Sequence, residues 1–164
     1  MLKPDPLKRK SELPDTSLTL TRIIKSSRER VFDAWTNPDL LMKWWGPGTT
    51  TCPEASIDLR VGGVIRIANR IEDGRIIWID GEFEQVEPPS RLIYSWTMGT
   101  EMVEASRVTV DFRNHPAGTE LVLTHERFAN ESVRDAHLKG WQGCLDGLQE
   151  LVEEATAGSN ETVT

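Results

Sequence analysis

IIWIDGEFEQVEPPSRLIYSWTM, residues 76–98, consists of two runs of alternating apolar and polar residues joined by Pro88-Pro89-Ser90. Ile77, Ile79 and Phe83 share one side of the first run, and Leu92, Tyr94 and Trp96 share one side of the second. That period of two belongs to half-buried strands. A connection this short has no room for a parallel crossover of a dozen or more residues, so the two strands run antiparallel. The pattern extends both ways. Strands are expected at 17–25, 50–59, 63–71, 76–87, 90–98, 103–113 and 118–127, with turn-forming connectors such as Gly62-Gly63, Asp73-Gly74, Met98-Gly99-Thr100 and NHPAG at 114–118. One face of this meander carries Ile57, Leu59, Ile65, Ile67, Val108, Val110, Phe112, Leu121 and Leu123 besides the residues above. The other carries Arg66, Arg70, Glu82, Glu84, Thr109, Asp111, Glu120 and Thr124, so one side alone needs a cover.

The last helix is expected to supply it, with two short helices closing one end of the sheet. After the strand at 17–25, Ser26 and Glu29 have the spacing of a capping box, and Val31, Phe32 and Trp35 then share a helical face. Asn37-Pro38 ends that helix and begins a second, because proline suits a first helical turn. Trp44 and Trp45 close the second helix. Neighbouring residues on a helix are turned by about 100°, so one ring is expected against the core and the other toward the entrance or the first helix, either as plain core or as a cavity wall. Gly46-Pro47-Gly48 then reverses the chain. The last helix, 131–155, puts His137, Trp141, Cys144, Leu145, Leu148, Leu151 and Val152 on one stripe, opposite Gln142, Asp146, Gln149 and Glu153. Gly140, Gly143 and Gly147 each forgo about 1 kcal/mol of helix propensity relative to alanine. They fall in one narrow stripe, which predicts close approach there by the short helices, a partner subunit or a ligand.

Composition bounds the function. The chain has 164 residues, 38% of them hydrophobic and 27% charged, enough for one domain over 16–156 between flexible tails at 1–15 and 157–164. A net charge of −7 opposes nucleic-acid binding, which needs a basic surface. No apolar run approaches the roughly 18 residues of a membrane span, and the first residues lack a signal-peptide core, so a cytoplasmic address and no membrane partner are expected. Cys52 and Cys144 are too few and too far apart for a disulfide framework or a zinc site, and read as small buried hydrophobes. RVGG at 60–63 joins two strands and opens no helix, so it is not a phosphate loop. Neither a metal nor a cofactor is expected.

The succession RVFDAWTNPDLLMKWWGP, IDLRVGG, GEFEQVEPPSRLIYSWT, GTELVLTHERF and GWQGCLDGLQELV resembles the START/Bet v 1-like superfamily, also called SRPBCC or helix-grip. Within it the chain is similar to the C-terminal domain of the activator of heat-shock protein 90 ATPase. The resemblance implies an α+β helix-grip fold: a seven-stranded antiparallel sheet curved around a long C-terminal helix, with two short helices between strands 1 and 2. It also implies a hydrophobic cavity between sheet and helix, as in lipid carriers, hormone receptors, polyketide cyclases and the chaperone activator. That activator carries a separate N-terminal chaperone-binding domain, and nothing before residue 16 supplies one, so a chaperone contact is the least expected partnership.

Residues on the inward faces are the candidate ligand-binding lining: Trp44, Trp45, Ile65, Ile67, Asn69, Phe83, Tyr94, Trp96, Val110, Phe112, Leu123, His125, His137, Trp141, Cys144 and Leu145. Indole rings suit the wall of an apolar pocket, and an indole N–H can donate one bond to a ligand oxygen. His125 alternates inward with Leu121 and Leu123. A histidine there either bonds within the core, orients a ligand carbonyl or moves a proton. No serine, cysteine or carboxylate is fixed beside it by spacing, and no catalytic residue is assigned. The expected function is therefore a domain holding a small apolar or aromatic molecule, with a link to stress response. A cyclase- or aromatase-type enzyme and a co-chaperone-like activator are the alternatives, and a homodimer is left open.

Overall fold

Short antiparallel connections give the sheet its order. The computed structural model describes residues 16–99 and 104–163, with side chains to residue 155. The elements run β1 (Leu18–Ile24), α1 (Arg28–Thr36), α2 (Pro38–Trp44), β2 (Ala55–Ile57), β3 (Val64–Arg70), β4 (Ile76–Glu87), β5 (Arg91–Met98), β6 (Ser106–His115), β7 (Gly118–Glu126) and α3 (Glu131–Val163). They form one open seven-stranded sheet, β1-β7-β6-β5-β4-β3-β2, with every pairing antiparallel. Strands β2 to β7 are the expected meander, and β1 returns to pair with β7. The expected tail at 1–15, the connector residue Thr100 and position 103 of the sixth expected strand lie outside the described residues.

Alternation sorts the side chains as expected. Ile65, Ile67, Ile79, Phe83, Leu92, Tyr94, Trp96, Val108, Val110, Phe112, Leu121 and Leu123 are buried, and Trp141, Cys144, Leu145, Leu148 and Val152 of α3 are buried with them. Trp141 is only 2% exposed, which fixes the rotation of that helix. Strand β4 gains one residue relative to β5 between Phe83 and Gln85. Such a bulge bends a strand and raises its twist.

Three local expectations are corrected. The cap of α1 is Ser27, whose hydroxyl accepts from the Arg30 amide, so the Ser26–Glu29 capping box does not form. Ser26 is buried instead: its amide donates to the Ile24 carbonyl and its carbonyl accepts from the Thr119 hydroxyl. The strand expected at 50–59 shrinks to β2 and an isolated bridge between Thr51 and Arg70. Pro53 lies between these pieces and has no amide hydrogen for a continuous ladder. Past Ile57 the chain enters a turn closed by Gly63 N–H on the Arg60 carbonyl, which leaves Leu59 37% exposed and off the apolar face.

The short helices close one end of the sheet. Asn37 ends α1 and caps α2, its side chain accepting from the Asp39 amide. Asn130 does the same for α3 through the Val133 amide. Two of the helix glycines meet the expected close approach. A Cβ on Gly143 would lie 2.7 Å from Pro47 Cβ, and one on Gly147 would lie 2.6 Å from the Trp44 carbonyl oxygen. Gly46, at φ 122°, adopts the left-handed conformation that starts the turn carrying Pro47 there.

Candidate ligand-binding site

Five tryptophans from four elements and one turn edge meet between sheet and α3. Trp35 lies 5.0 Å from Trp44 and 5.9 Å from Trp141 between ring centroids, and Trp45 lies 5.4 Å from Trp44, 5.3 Å from Trp141 and 6.1 Å from Trp96. Each indole N–H has an acceptor inside the protein. Trp35 donates to the Tyr94 hydroxyl at 3.2 Å, Trp44 to the Ala34 carbonyl at 2.8 Å and Trp45 to Asn69 Oδ1 at 2.9 Å. Trp96 donates to His137 Nε2 at 3.3 Å, and Trp141 to His125 Nδ1 at 3.0 Å. The rings therefore offer faces and edges to a ligand, while the N–H groups are already engaged.

These bonds fix both histidine tautomers. An indole nitrogen only donates, so His125 Nδ1 is an acceptor and its proton sits on Nε2. That proton donates to Ser106 Oγ at 2.8 Å, and the hydroxyl donates in turn to the Trp96 carbonyl at 3.1 Å. His137 accepts from Trp96 at Nε2 and donates from Nδ1 to the Val133 carbonyl at 2.9 Å. Burial, with His137 beside it, holds His125 down at about 2, and burial also holds His137 below its ordinary value. Both rings are neutral at physiological pH. Burial likewise pushes the Cys144 thiol up to about 12, so it is not a thiolate.

A serine within bonding distance of a histidine invites a nucleophile–base reading. The direction of the bond opposes it: His125 donates to Ser106, whereas a general base must accept from it. The pair also has no carboxylate orienting it. Sequence spacing left Ser106 unnoticed as the partner of His125.

Beside this cluster lies a pocket of about 190 Å³, partly open to solvent and almost wholly apolar. Of the residues expected to line a cavity, Trp45, Asn69, Trp96, His137, Trp141 and Cys144 line it. Trp44, Ile65, Ile67, Phe83, Tyr94, Val110, Phe112, Leu123, His125 and Leu145 are packed in the core behind those walls. The rest of the lining is Pro47 and Thr50 from the turn after α2, Ile71 after β3, Met98 of β5 and Ala136 of α3, together with Ile79 of the apolar face and Gly140 of the stripe where a ligand is one of the expected neighbours. Among the described residues, no charged side chain lines the pocket. The Asn69 amide donates one hydrogen to the Ile77 carbonyl and keeps a second. The Thr50 hydroxyl has no side-chain bond among the described residues. Among those residues, too, no three His, Cys, Asp or Glu side chains converge to hold a metal ion, and no helix is long and apolar enough to cross a membrane.

The family described as Activator of Hsp90 ATPase homolog 1-like protein matches residues 25–153. The chain belongs to that family. The matched span contains every residue of the pocket lining. Solved structures repeat the fold. A protein from Chromobacterium violaceum is 24% identical with a TM-score of 0.77, over 84% of this chain and 98% of its own. The family protein from Silicibacter pomeroyi is 24% identical with a TM-score of 0.74, over 84% and 99%. The family-like protein from Aeromonas hydrophila is 28% identical with a TM-score of 0.71, over 85% and 94%. No curated protein matches this chain. Family and neighbours together give the helix-grip architecture of START-like ligand-binding domains.

Proposed function

We propose that this chain is a binding domain for a small, uncharged, planar aromatic molecule of one or two fused rings. One observation carries the reading: a pocket walled by Trp45, Trp96 and Trp141 has no charged side chain in its lining among the described residues. An ionised ligand group there would lose water without gaining a counter-charge. Size narrows the class. An engineered cavity of about 150 Å³ holds benzene, and drug-sized sites begin near 300 Å³, so about 190 Å³ suits one or two rings and is small for a long acyl or polyketide chain. The Thr50 hydroxyl and the second Asn69 amide hydrogen are the groups available to a ligand acceptor. Binding is favoured over cyclase-type catalysis because His125 and His137 are neutral and use both ring nitrogens within the protein.

Titration with toluene, naphthalene and quinoline, read by tryptophan fluorescence and thermal unfolding, tests this. The expected result is quenching that weakens in Trp96→Phe, with a gain of about 2.7 kcal/mol when ligand stands a hundredfold above its Kd. Quinoline carboxylates are expected not to bind. Absence of both quenching and stabilisation across the panel refutes the reading.

A further inference from the structure

Three glycines on α3 share a stripe, yet only two of them are explained by packing. Gly143 and Gly147 admit Pro47 and the Trp44 carbonyl, whereas a Cβ on Gly140 would meet nothing within 4 Å. Gly140 is also part of the pocket lining. The α3 residues that line the pocket are Ala136, His137, Gly140, Trp141 and Cys144. At about 100° per residue, Gly140 points between Ala136 and Cys144, within the arc those side chains cover. The empty space at its Cβ position therefore belongs to the pocket. Helix propensity favours almost any other residue at this position, and no neighbour among the described residues requires a glycine.

We infer that Gly140 is the specificity-determining residue of the pocket: its missing side chain makes room for a second fused ring against the α3 backbone. This rests on the binding reading above and adds what sets the upper size of the ligand. A methyl group at 140 narrows the pocket between Ala136 and Cys144. A branched side chain closes it, leaving at most the space for a single ring beside Trp45 and Trp96.

The test uses ¹⁵N-labelled protein titrated separately with toluene and quinoline, following the Gly140 amide and the Trp45, Trp96 and Trp141 indole N–H signals. Wild-type protein is expected to bind both probes, with the Gly140 amide shifting most for quinoline. Gly140→Ala should weaken quinoline severalfold and leave toluene within twofold. Gly140→Leu should weaken quinoline at least tenfold while its thermal midpoint equals or exceeds that of wild type, which separates occlusion from misfolding. Wild-type binding of quinoline matched by Gly140→Leu overturns this inference alone. Wild-type protein that binds neither probe overturns the binding reading and this inference with it. A Gly140→Leu that loses quinoline only by unfolding is decided by Gly140→Ala: unchanged quinoline affinity there also overturns the inference.

Discussion

Lowering the pH tests whether His125 is held neutral in the fold. An imidazole in the unfolded chain titrates near 6.5, whereas burial, with His137 adding to it, holds His125 at about 2. The titratable ring in contact with it is His137, 5.3 Å away between centroids; Phe128, Trp96 and Trp141 are its other ring neighbours. Below pH 6.5 the unfolded chain binds a proton that the folded chain does not. Stability is therefore complete above the unfolded value and falls as the pH falls below it. The slope is about 1.4 kcal/mol per pH unit, or about 2 kcal/mol between pH 7.5 and 5.0. His137, also held below its ordinary value by burial, adds loss in the same direction. His125→Gln is the matched control: its amide oxygen accepts from Trp141 and its NH₂ donates to Ser106, but it does not titrate. Urea unfolding at the two pH values should show wild type losing about 2 kcal/mol more than the variant. An equal loss in both proteins refutes the claim that the fold keeps this ring uncharged.

Two further substitutions probe the walls behind the pocket. Tyr94→Phe keeps the ring but leaves the buried Trp35 N–H without its acceptor. The expected loss is about 1–3 kcal/mol in urea unfolding, and an unchanged midpoint would mean that the bond contributes nothing. Gly147→Ala gains about 1 kcal/mol of helix propensity but drives a methyl group onto the Trp44 carbonyl. Overpacking of about 1–3 kcal/mol should outweigh the gain, so a variant more stable than wild type would show that α2 gives way freely.

The fold was legible because its signals repeat. Period-two runs with short connectors give an antiparallel meander wherever the exact strand ends fall, and the stripe through Trp141 and Leu145 gives the rotation of α3. Details set by a single residue were less legible. Adjacent serines before α1 offer two registers for one cap, and the burial of Ser26 against Thr119 decides between them. Ser106 escaped notice beside His125 for a related reason. The connector NHPAG allows hairpin turns of different lengths, and each length slides β6 along β7. The observed turn pairs His115 with Gly118, which sets Val108 opposite His125 and brings Ser106, two residues along the same face, within reach of the ring. The pocket lining was half legible. Its strand and helix walls follow from periodicity, but Pro47, Thr50 and Ile71 lie outside the regular elements, where no period points inward.

The paired tryptophans explain why an aromatic pocket forms where it does. Trp44 is the last residue of α2 and turns back toward α1, bonding Ala34 and packing on Trp35. Trp45 is the cap that follows, at φ −74° and ψ 135°, so its backbone has already left the helix and its ring swings across to Asn69 on β3. The peptide bond between them thus marks the boundary between filled core and open pocket. Behind it, Trp35, Tyr94, Phe83 and Phe112 are fully buried. In front of it, Trp45 has Trp96 and Trp141 as aromatic neighbours and Pro47 and Thr50 beyond them, and these rings line the pocket among the described residues. Gly46 makes this arrangement possible by turning the backbone sharply enough to seat Pro47 on Gly143. That contact, with the Gly46 backbone on the Cys144 thiol, holds the turn against α3, and among the described residues nothing covers the Cβ position of Gly140. Among the described residues the aromatic cluster ends there, at the pocket that Gly140 and Trp45 both line.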